Sequence, residues 1–583
     1  MKKILIAIAA LASLAAQADE PTRVNHPFSR CYVKATLNRD YPSFYKRGEE
    51  IVCTYSFENV KGEIDPKRYL VYERVDRDGD NPPRPPRTFV PEPGKTYTVS
   101  TSLDRPGAVR FWVEVWDTVL DTKLSRDDCH GRAVRFFKTA FVEPEKMQSV
   151  EEPADYDAFW RRHRAELDAV PMNPKLEPAG GGAQYRVYKL HLDCAGPAPV
   201  TGYISIPTAP GKYPAHLVTD GYGGPFKGKK GAQGHCFGAN ADEIVVHINA
   251  HGYELGRDDQ YYIDFMKNAD AHGYKLYRPG DKADADLRRI PNRNPDTCYF
   301  AGMTWRIMRA LDYVKTRPEW DGKSICATGV SQGGLQTIWA AALEPKVTWA
   351  SVQVPWSCEF GGRETLHRIE CRLPFAETPA MRYYDPVNMA KRIRGSFDIA
   401  RAGLADYTSP PSGIQVFYNN LKGPKRVIWY DRMEHKQHKF IRHKFFEESD
   451  RLPELVTGFP EGRWTLTERT NDAKKDAATG SLEVVRLKDG HYSVKFTAPG
   501  GKLIDFADPK YEADVNLSAG KLEVRYRSDE GPAEMPFEET KTSVLEMWPQ
   551  AKGETLSGTL ATWWGNEREV NGISRISYAG VRQ

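Results

Sequence analysis

The run Gly329-Val330-Ser331-Gln332-Gly333 lies between an apolar segment, Ser324-Ile325-Cys326-Ala327-Thr328, and a helical pattern that begins at Gly334. Glycines two before and two after a serine let a strand turn sharply into a helix and present the hydroxyl above a sheet. The following helix brings its positive end beneath any oxyanion that forms, with the Gln332 amide as one donor to it. A serine hydroxyl is a poor nucleophile until a base removes its proton, and that base needs an acceptor to hold its tautomer. In a sheet of this kind the expected chain order is Ser, then Asp or Glu, then His. Asp406 follows a strand ending near Gly403, and His435 follows a strand ending at Tyr430. The reading is that Ser331 attacks an acyl carbon, His435 moves the proton and Asp406 orients His435. A second oxyanion donor is expected after an early strand, where Gly221-Tyr222-Gly223-Gly224 supplies the Tyr222 amide; a glycine-rich turn without that role is the alternative.

Other residues compete for these roles. His438 and His443 follow His435 closely, but no carboxylate or cysteine stands at metal-ligand spacing, so they read as solvated positions on a basic helix. Asp385 reads as a cap or turn residue, and Asp431 is too near His435 along the chain to be the preferred orienter.

The elements that must position these groups alternate between 185 and 450. Strands are expected at Val200 to Ile206, His216 to Thr219, Ile244 to Ile248, Ser324 to Thr328, Val347 to Val354, Phe397 to Ala402 and Arg426 to Tyr430, with helices near Tyr299 to Val314 and Gly334 to Leu343. Such alternation predicts βαβ crossovers, a mostly parallel buried sheet and active groups at the carboxyl ends of its strands. A helix opening at Asp155 and closed by Pro171 leads into it. Before it, short runs such as Ile51 to Tyr55, Tyr69 to Tyr72 and Val109 to Val115 predict a β-sandwich, and Asn81 to Pro86 is excluded from any central strand by its prolines. After it, Ser481 to Leu487, Tyr492 to Thr497 and Leu522 to Tyr526 alternate in a two-residue period and predict a second β-domain of the same kind. The fold class is therefore α/β with β-sandwich-like flanks: 19–147 an N-terminal β-domain, 148–451 the catalytic domain with its leading helix, and 452–583 a C-terminal β-rich domain.

Lys2 and Lys3, the apolar stretch Ile4 to Ala16 and the site Ala16-Gln17-Ala18 form the pattern of a secretory signal peptide over 1–18, which predicts a secreted or periplasmic protein. The 583 residues exceed one ordinary core, and 40% hydrophobic residues are enough to fold. A formal charge of +4 without a long basic run argues against a nucleic-acid partner, and no later segment is apolar enough for a membrane span. Nine cysteines leave at least one thiol unpaired; Cys31, Cys53 and Cys129 are placed where a bridge would staple the first β-domain. No CxxC spacing supports zinc.

With these residues in place, the segment from about 150 to 450 resembles the acetyl xylan esterase and cephalosporin C deacetylase family, carbohydrate esterase family 7, of the α/β-hydrolase fold. The resemblance is carried by Asp220-Gly221-Tyr222, Pro295-Asp296-Thr297-Cys298-Tyr299, Gly329 to Gly334, Val354-Pro355-Trp356, Gly403-Leu404-Ala405-Asp406 with Pro410-Pro411, and Asn419 to Lys425 leading to His435. It implies Ser331, Asp406 and His435 as the triad, Tyr222 and Gln332 as oxyanion donors, and removal of acetyl groups from sugar hydroxyls without a metal or other cofactor. Pro355 and Trp356 are placed at the acyl pocket, with core packing as the alternative for Trp356. Two positions depart from the family: Asp220 stands where it usually has His, and Glu434 where a Gly usually precedes the catalytic His. Two other readings stay open, an exported hydrolase of peptides or other acyl esters and a carbohydrate-binding protein on a relict hydrolase core. Trp464, Trp548, Trp563 and Trp564 read either as a sugar-stacking platform or as core of the last domain.

Overall fold

The computed structural model describes residues 27–28, 31–39, 44–58, 60–119, 122–124, 134–221, 236–271, 292–356, 358–369, 378–430, 433–435, 445–450, 461–468, 479–486, 492–498, 501–508, 514–518, 521–527, 542–550, 555–565 and 570–583. They divide into two compact units, one running up to Val142 without Pro106–Ala108, the other from Glu143 onward together with Pro106–Ala108.

The first unit contains a three-stranded sheet of Tyr32–Leu37, Ile51–Glu58 and Thr96–Thr101, and a six-stranded sheet that includes Tyr69–Arg77, Gly107–Asp117 and Arg135–Val142. Ile51–Glu58 alternates buried and half-buried side chains along its whole length, the signature of a strand with one face inward. Tyr55 and Phe57 from the small sheet and Val71, Phe111, Val113 and Val115 from the large one belong to a single buried cluster. Cys53 lies in that cluster as a free thiol, pushed up to about 12 by burial, so no bridge runs through it; Cys129 falls outside the described residues.

The second unit is built on a ten-stranded sheet: β1 (Lys175–Gly181), β2 (Tyr185–Leu192), β3 (Val200–Pro207), β4 (Tyr213–Thr219), β5 (Ile244–Ile248), β6 (Trp320–Val330), β7 (Val347–Gln353), β8 (Ser396–Gly403), β9 (Lys425–Tyr430) and β10 (Phe445–Asp450). Their order is β1-β2-β3-β5-β4-β6-β7-β8-β9-β10. The strands from β4 to β9 are parallel, while β1, β2, β3 and β10 pair antiparallel with their neighbours. Strands covered on both faces read as unbroken apolar runs, and β3 and β8 are buried at every residue.

Among the described residues, seven α-helices accompany the sheet: α1 (Tyr156–Asp168), α2 (Asp259–Ala271), α3 (Tyr299–Thr316), α4 (Gln332–Leu343), α5 (Gly362–Leu366), α6 (Pro386–Ala390) and α7 (Pro411–Asn420). Helix α1 buries Phe159, Trp160, His163 and Leu167 from one face. Its C-terminal carbonyls are closed by α3: Arg309 Nη2 donates to Leu167 O at 2.6 Å and to Val170 O at 2.7 Å. Asp385 does cap a helix, its Oδ1 accepting from Val387 N–H at 2.9 Å at the start of α6.

Beyond Glu461, nine strands form one antiparallel sheet in which Gly462–Glu468 pairs with Val570–Arg582. Trp464, Leu482, Phe496, Leu522, Met547, Leu556 and Tyr578 make its buried cluster. Trp464 is thus a core residue; the side chains of Trp548, Trp563 and Trp564 fall outside the described ones. Among the described residues no helix is long and apolar enough to cross a membrane.

Candidate active site

Strand β6 stops at Val330 and α4 starts at Gln332, so Ser331 alone makes the turn, at φ 58° and ψ −116°. A residue with a side chain enters this region only when its surroundings hold it there. Here Ser331 N–H donates to Gln353 O at 2.9 Å, and Ser331 O accepts from Trp356 N–H at 3.1 Å and Leu335 N–H at 3.2 Å. The flanking glycines answer a separate demand, the closeness of the backbones. A Cβ on Gly329 would overlap the Gly333 carbonyl and Thr219 Oγ1, and one on Gly333 would overlap the Thr219 carbonyl. The end of β4 therefore touches the turn directly, and Thr219 Oγ1 donates to Gly333 O at 2.7 Å.

The acid and the base sit on chain segments that are bonded to each other. After β8, Leu404 N–H donates to Tyr430 O at 2.9 Å and Ala405 N–H to Met433 O at 3.2 Å, while a Cβ on Gly403 would overlap the Met433 carbonyl. This brings Asp406 and His435 together beside the turn. His435 Nε2 lies 2.8 Å from Ser331 Oγ, and His435 Nδ1 lies 3.0 Å from Asp406 Oδ2. Asp406 is fully buried, and its Oδ1 accepts from the amides of Thr408 and Ser409 at 2.8 Å each. With Oδ1 occupied, Oδ2 accepts the hydrogen bond from Nδ1–H, which keeps the proton on Nδ1 and leaves the Nε2 lone pair facing the serine hydroxyl.

Ser409 is a member of this group that the sequence reading did not single out. Its hydroxyl donates to Val354 O at 3.1 Å and its oxygen stands 3.4 Å from His435 Nδ1, a second acceptor on the same N–H. The available signal was a serine three residues after a buried aspartate, the spacing of a side chain that folds back onto its own backbone.

The remaining expected residues are placed as follows. Gln332 is buried at the first position of α4, where its N–H is one of the four a helix cannot pair internally. Tyr222 lies outside the described residues; Gly221 before it comes close to the turn, since a Cβ there would stand 3.3 Å from Val330 O. Pro355 rests on the start of α4, with its Cα 3.0 Å from where a Gly334 Cβ would be, and Trp356 is buried beside Ser331. Asp431, His438 and His443 lie outside the described residues. Among the described residues no three His, Cys, Asp or Glu side chains gather to hold a metal. On the other side of the turn Asp220 Oδ2 is 2.9 Å from His247 Nε2 on β5, a pair that required the β4–β5 register to be seen.

The family model described as acetyl xylan esterase (AXE1) matches residues 144–448, which include all three of these side chains. The chain belongs to the acetyl xylan esterase family. It is accordingly a carboxylic ester hydrolase of the α/β-hydrolase type. A curated relative, acetyl esterase Axe7A of Xylanibacter ruminicola, is 25% identical over 459 residues, spanning 75% of this chain and 93% of that protein. Among solved structures, the acetyl xylan esterase from Paenibacillus sp. R4 is 22% identical and covers 51% of this chain and 94% of its own, with a TM-score of 0.39. Acetyl xylan esterase 1 from a Thermoanaerobacterium species is 21% identical over 51% of this chain and 93% of its own, also with a TM-score of 0.39.

Proposed function

We propose that this family member is a secreted serine esterase that removes O-acetyl groups from acetylated xylan-type polysaccharides or oligosaccharides, with Ser331 as nucleophile, His435 as general base and acid, and Asp406 as its orienter. The observation that carries the reading is the unbroken line from Asp406 Oδ2 through His435 to Ser331 Oγ, at 3.0 and 2.8 Å, at a strand-to-helix turn.

Ser331 Oγ attacks the acetyl carbonyl carbon as His435 Nε2 takes its proton. The tetrahedral oxyanion is met by the Gln332 and Tyr222 amides, each donor contributing about 3 kcal/mol of transition-state stabilisation. His435 returns the proton to the departing sugar oxygen, leaving an acetyl ester on Ser331. A water molecule, deprotonated by His435, then attacks that ester; acetate leaves and Ser331 recovers its proton. Pro355 and Trp356, beside the nucleophile, line the acyl pocket and limit it to small acyl groups.

The same reading gives residues 1–18 as a cleaved signal peptide, 19–147 and 452–583 as flanking β-domains and 148–451 as the catalytic domain. Two sheets around one cluster support a sandwich for the first flank, and one continuous nine-stranded sheet supports a β-rich module for the second. The test is acetate release from acetylated xylan and xylo-oligosaccharides by the wild type and by Ser331→Ala. The variant should retain the wild-type circular dichroism spectrum and lose acetate release; near-normal turnover by it would discard the assignment, and faster cleavage of butyryl or peptide substrates would discard the acetyl preference.

A further inference from the structure

A second set of side chains lines the rim on the far side of Ser331 from His435, and the triad does not use it. Val218 on β4 is in register with Thr328 on β6 and with His247 on β5. Side chains two residues apart share a face, so Asp220, Val330 and His247 stand on one face of the sheet, opposite the face that Thr219 and Gly329 turn toward α4. The Asp220 side chain is 46% exposed, and Val330 and Phe237 are 43% and 70% exposed.

One imidazole fixes this group. Phe237 N–H donates to His247 Nδ1 at 3.3 Å, which makes that nitrogen the acceptor and leaves the ring proton on Nε2, directed at Asp220 Oδ2 at 2.9 Å. The Phe237 ring stands edge-on to the same imidazole, with centroids 6.4 Å apart. Asp220 is held from behind as well, its carbonyl accepting from Gln336 Nε2 at 3.2 Å. The outcome is an exposed carboxylate and an exposed aromatic ring at a set separation.

A carboxylate with one oxygen engaged by His247 keeps acceptor capacity for hydroxyl groups. A solvent-facing aromatic ring offers an apolar surface to the C–H face of a pyranose. Neighbouring strands lie about 4.8 Å apart, so Asp220, just past the end of β4, and His247 on β5 are about 5 and 10 Å to the side of Ser331, just past the end of β6. That is the position of a sugar ring adjoining the acetylated one, not of the acetyl group.

We propose that Asp220 and Phe237 form a subsite for a neutral pyranose next to the acetylated residue, Asp220 accepting its hydroxyl protons and Phe237 stacking on its apolar face, with His247 as a positioning residue. This rests on the deacetylase reading above and adds what determines its choice of substrate.

The test compares kcat and KM of the full-length wild type, Asp220→Asn and Phe237→Ala on two substrates, an acetylated xylotetraose and 4-nitrophenyl acetate, which carries no sugar hydroxyls. The loss of a hydrogen bond to a charged group in Asp220→Asn and of the stacking surface in Phe237→Ala predicts that each variant lowers the ratio of kcat/KM for the oligosaccharide to kcat/KM for 4-nitrophenyl acetate by about tenfold, through KM rather than kcat. A ratio within about twofold of wild type overturns the subsite: equal losses on both substrates would make the group a support for the turn, and no loss on either would make it idle. A wild type that cleaves 4-nitrophenyl acetate but frees no acetate from any acetylated oligosaccharide would overturn the deacetylase reading itself. A wild type that deacetylates while the ratio stays fixed would overturn the subsite alone.

Discussion

Replacing Asp406 by Asn should separate the two jobs this residue performs. Its Oδ1 accepts two buried amides, Thr408 N–H and Ser409 N–H at 2.8 Å, and its Oδ2 faces His435 Nδ1 at 3.0 Å. An asparagine has one acceptor oxygen, and the two amides claim it; the NH2 group must then point at Nδ1. His435 is thereby driven into the other tautomer, with its proton on Nε2 and no lone pair for Ser331 Oγ. The expected loss in kcat is about 10⁴-fold, equivalent to about 5.5 kcal/mol, by analogy with the same exchange in a different serine hydrolase. The fold should scarcely notice, because both amides keep their acceptor. Asp406→Ala removes that acceptor too, and two orphaned buried amides cost about 1–3 kcal/mol each, enough to lower the unfolding midpoint by several degrees. Initial rates on 4-nitrophenyl acetate and calorimetric midpoints of both variants check this. If Asp406→Asn keeps more than about a tenth of wild-type kcat, or Asp406→Ala unfolds at the same temperature as Asp406→Asn, the tautomer argument is wrong.

Two further outcomes follow from the geometry. Gly333→Ala drives a Cβ into the backbone at Thr219 and Asp220, so the turn must shift; activity should fall by at least about 100-fold with a cost of roughly 1–3 kcal/mol or more in stability, and normal rates would show that the turn yields freely. Burial lowers His163 to about 3, against about 6.5 in an unfolded chain. Its native form is neutral, so the unfolded state takes up the proton first; stability is complete above about pH 6.5 and falls by about 1.4 kcal/mol per unit as the pH drops toward 3. Urea midpoints measured from pH 7 to 4 should decline more steeply for the wild type than for His163→Gln, and parallel curves would refute this.

The parts of the site that could be read from the sequence were those with local signatures. Ser331 is announced by glycines that the backbones of β4 and α4 require, and Asp406 and His435 follow apolar strands whose ends are easy to place. What escaped needs register or context. The Asp220–His247 pair joins residues 27 apart in the chain, and only the β4–β5 pairing makes them neighbours. Strand β1 carries a bulge at Pro178/Gly180 and mostly exposed side chains, so it shows no alternation to find. Helix α7 was hidden by Pro410-Pro411, which resembles a turn although proline at the first helical position is favourable. A bridge through Cys53 was one open pairing, but counting cysteines gives no geometry, and Cys31 and Cys53 lie in one buried cluster with no bridge between them.

In the nine-stranded sheet, the four strands from Gly462 to Asp505 are neighbours in sequence order, as are the five from Asp514 to Arg582, so each half is a meander assembled from short-range hairpins. Among the described residues the halves meet at one ladder, Gly462–Glu468 against Val570–Arg582, which closes a loop of about a hundred residues. Hairpins form in microseconds, whereas long-range closure must spend chain entropy before any contact rewards it. The two meanders should therefore be made early and zipped together last, and that seam should set the pace at which this part of the molecule reaches its native state.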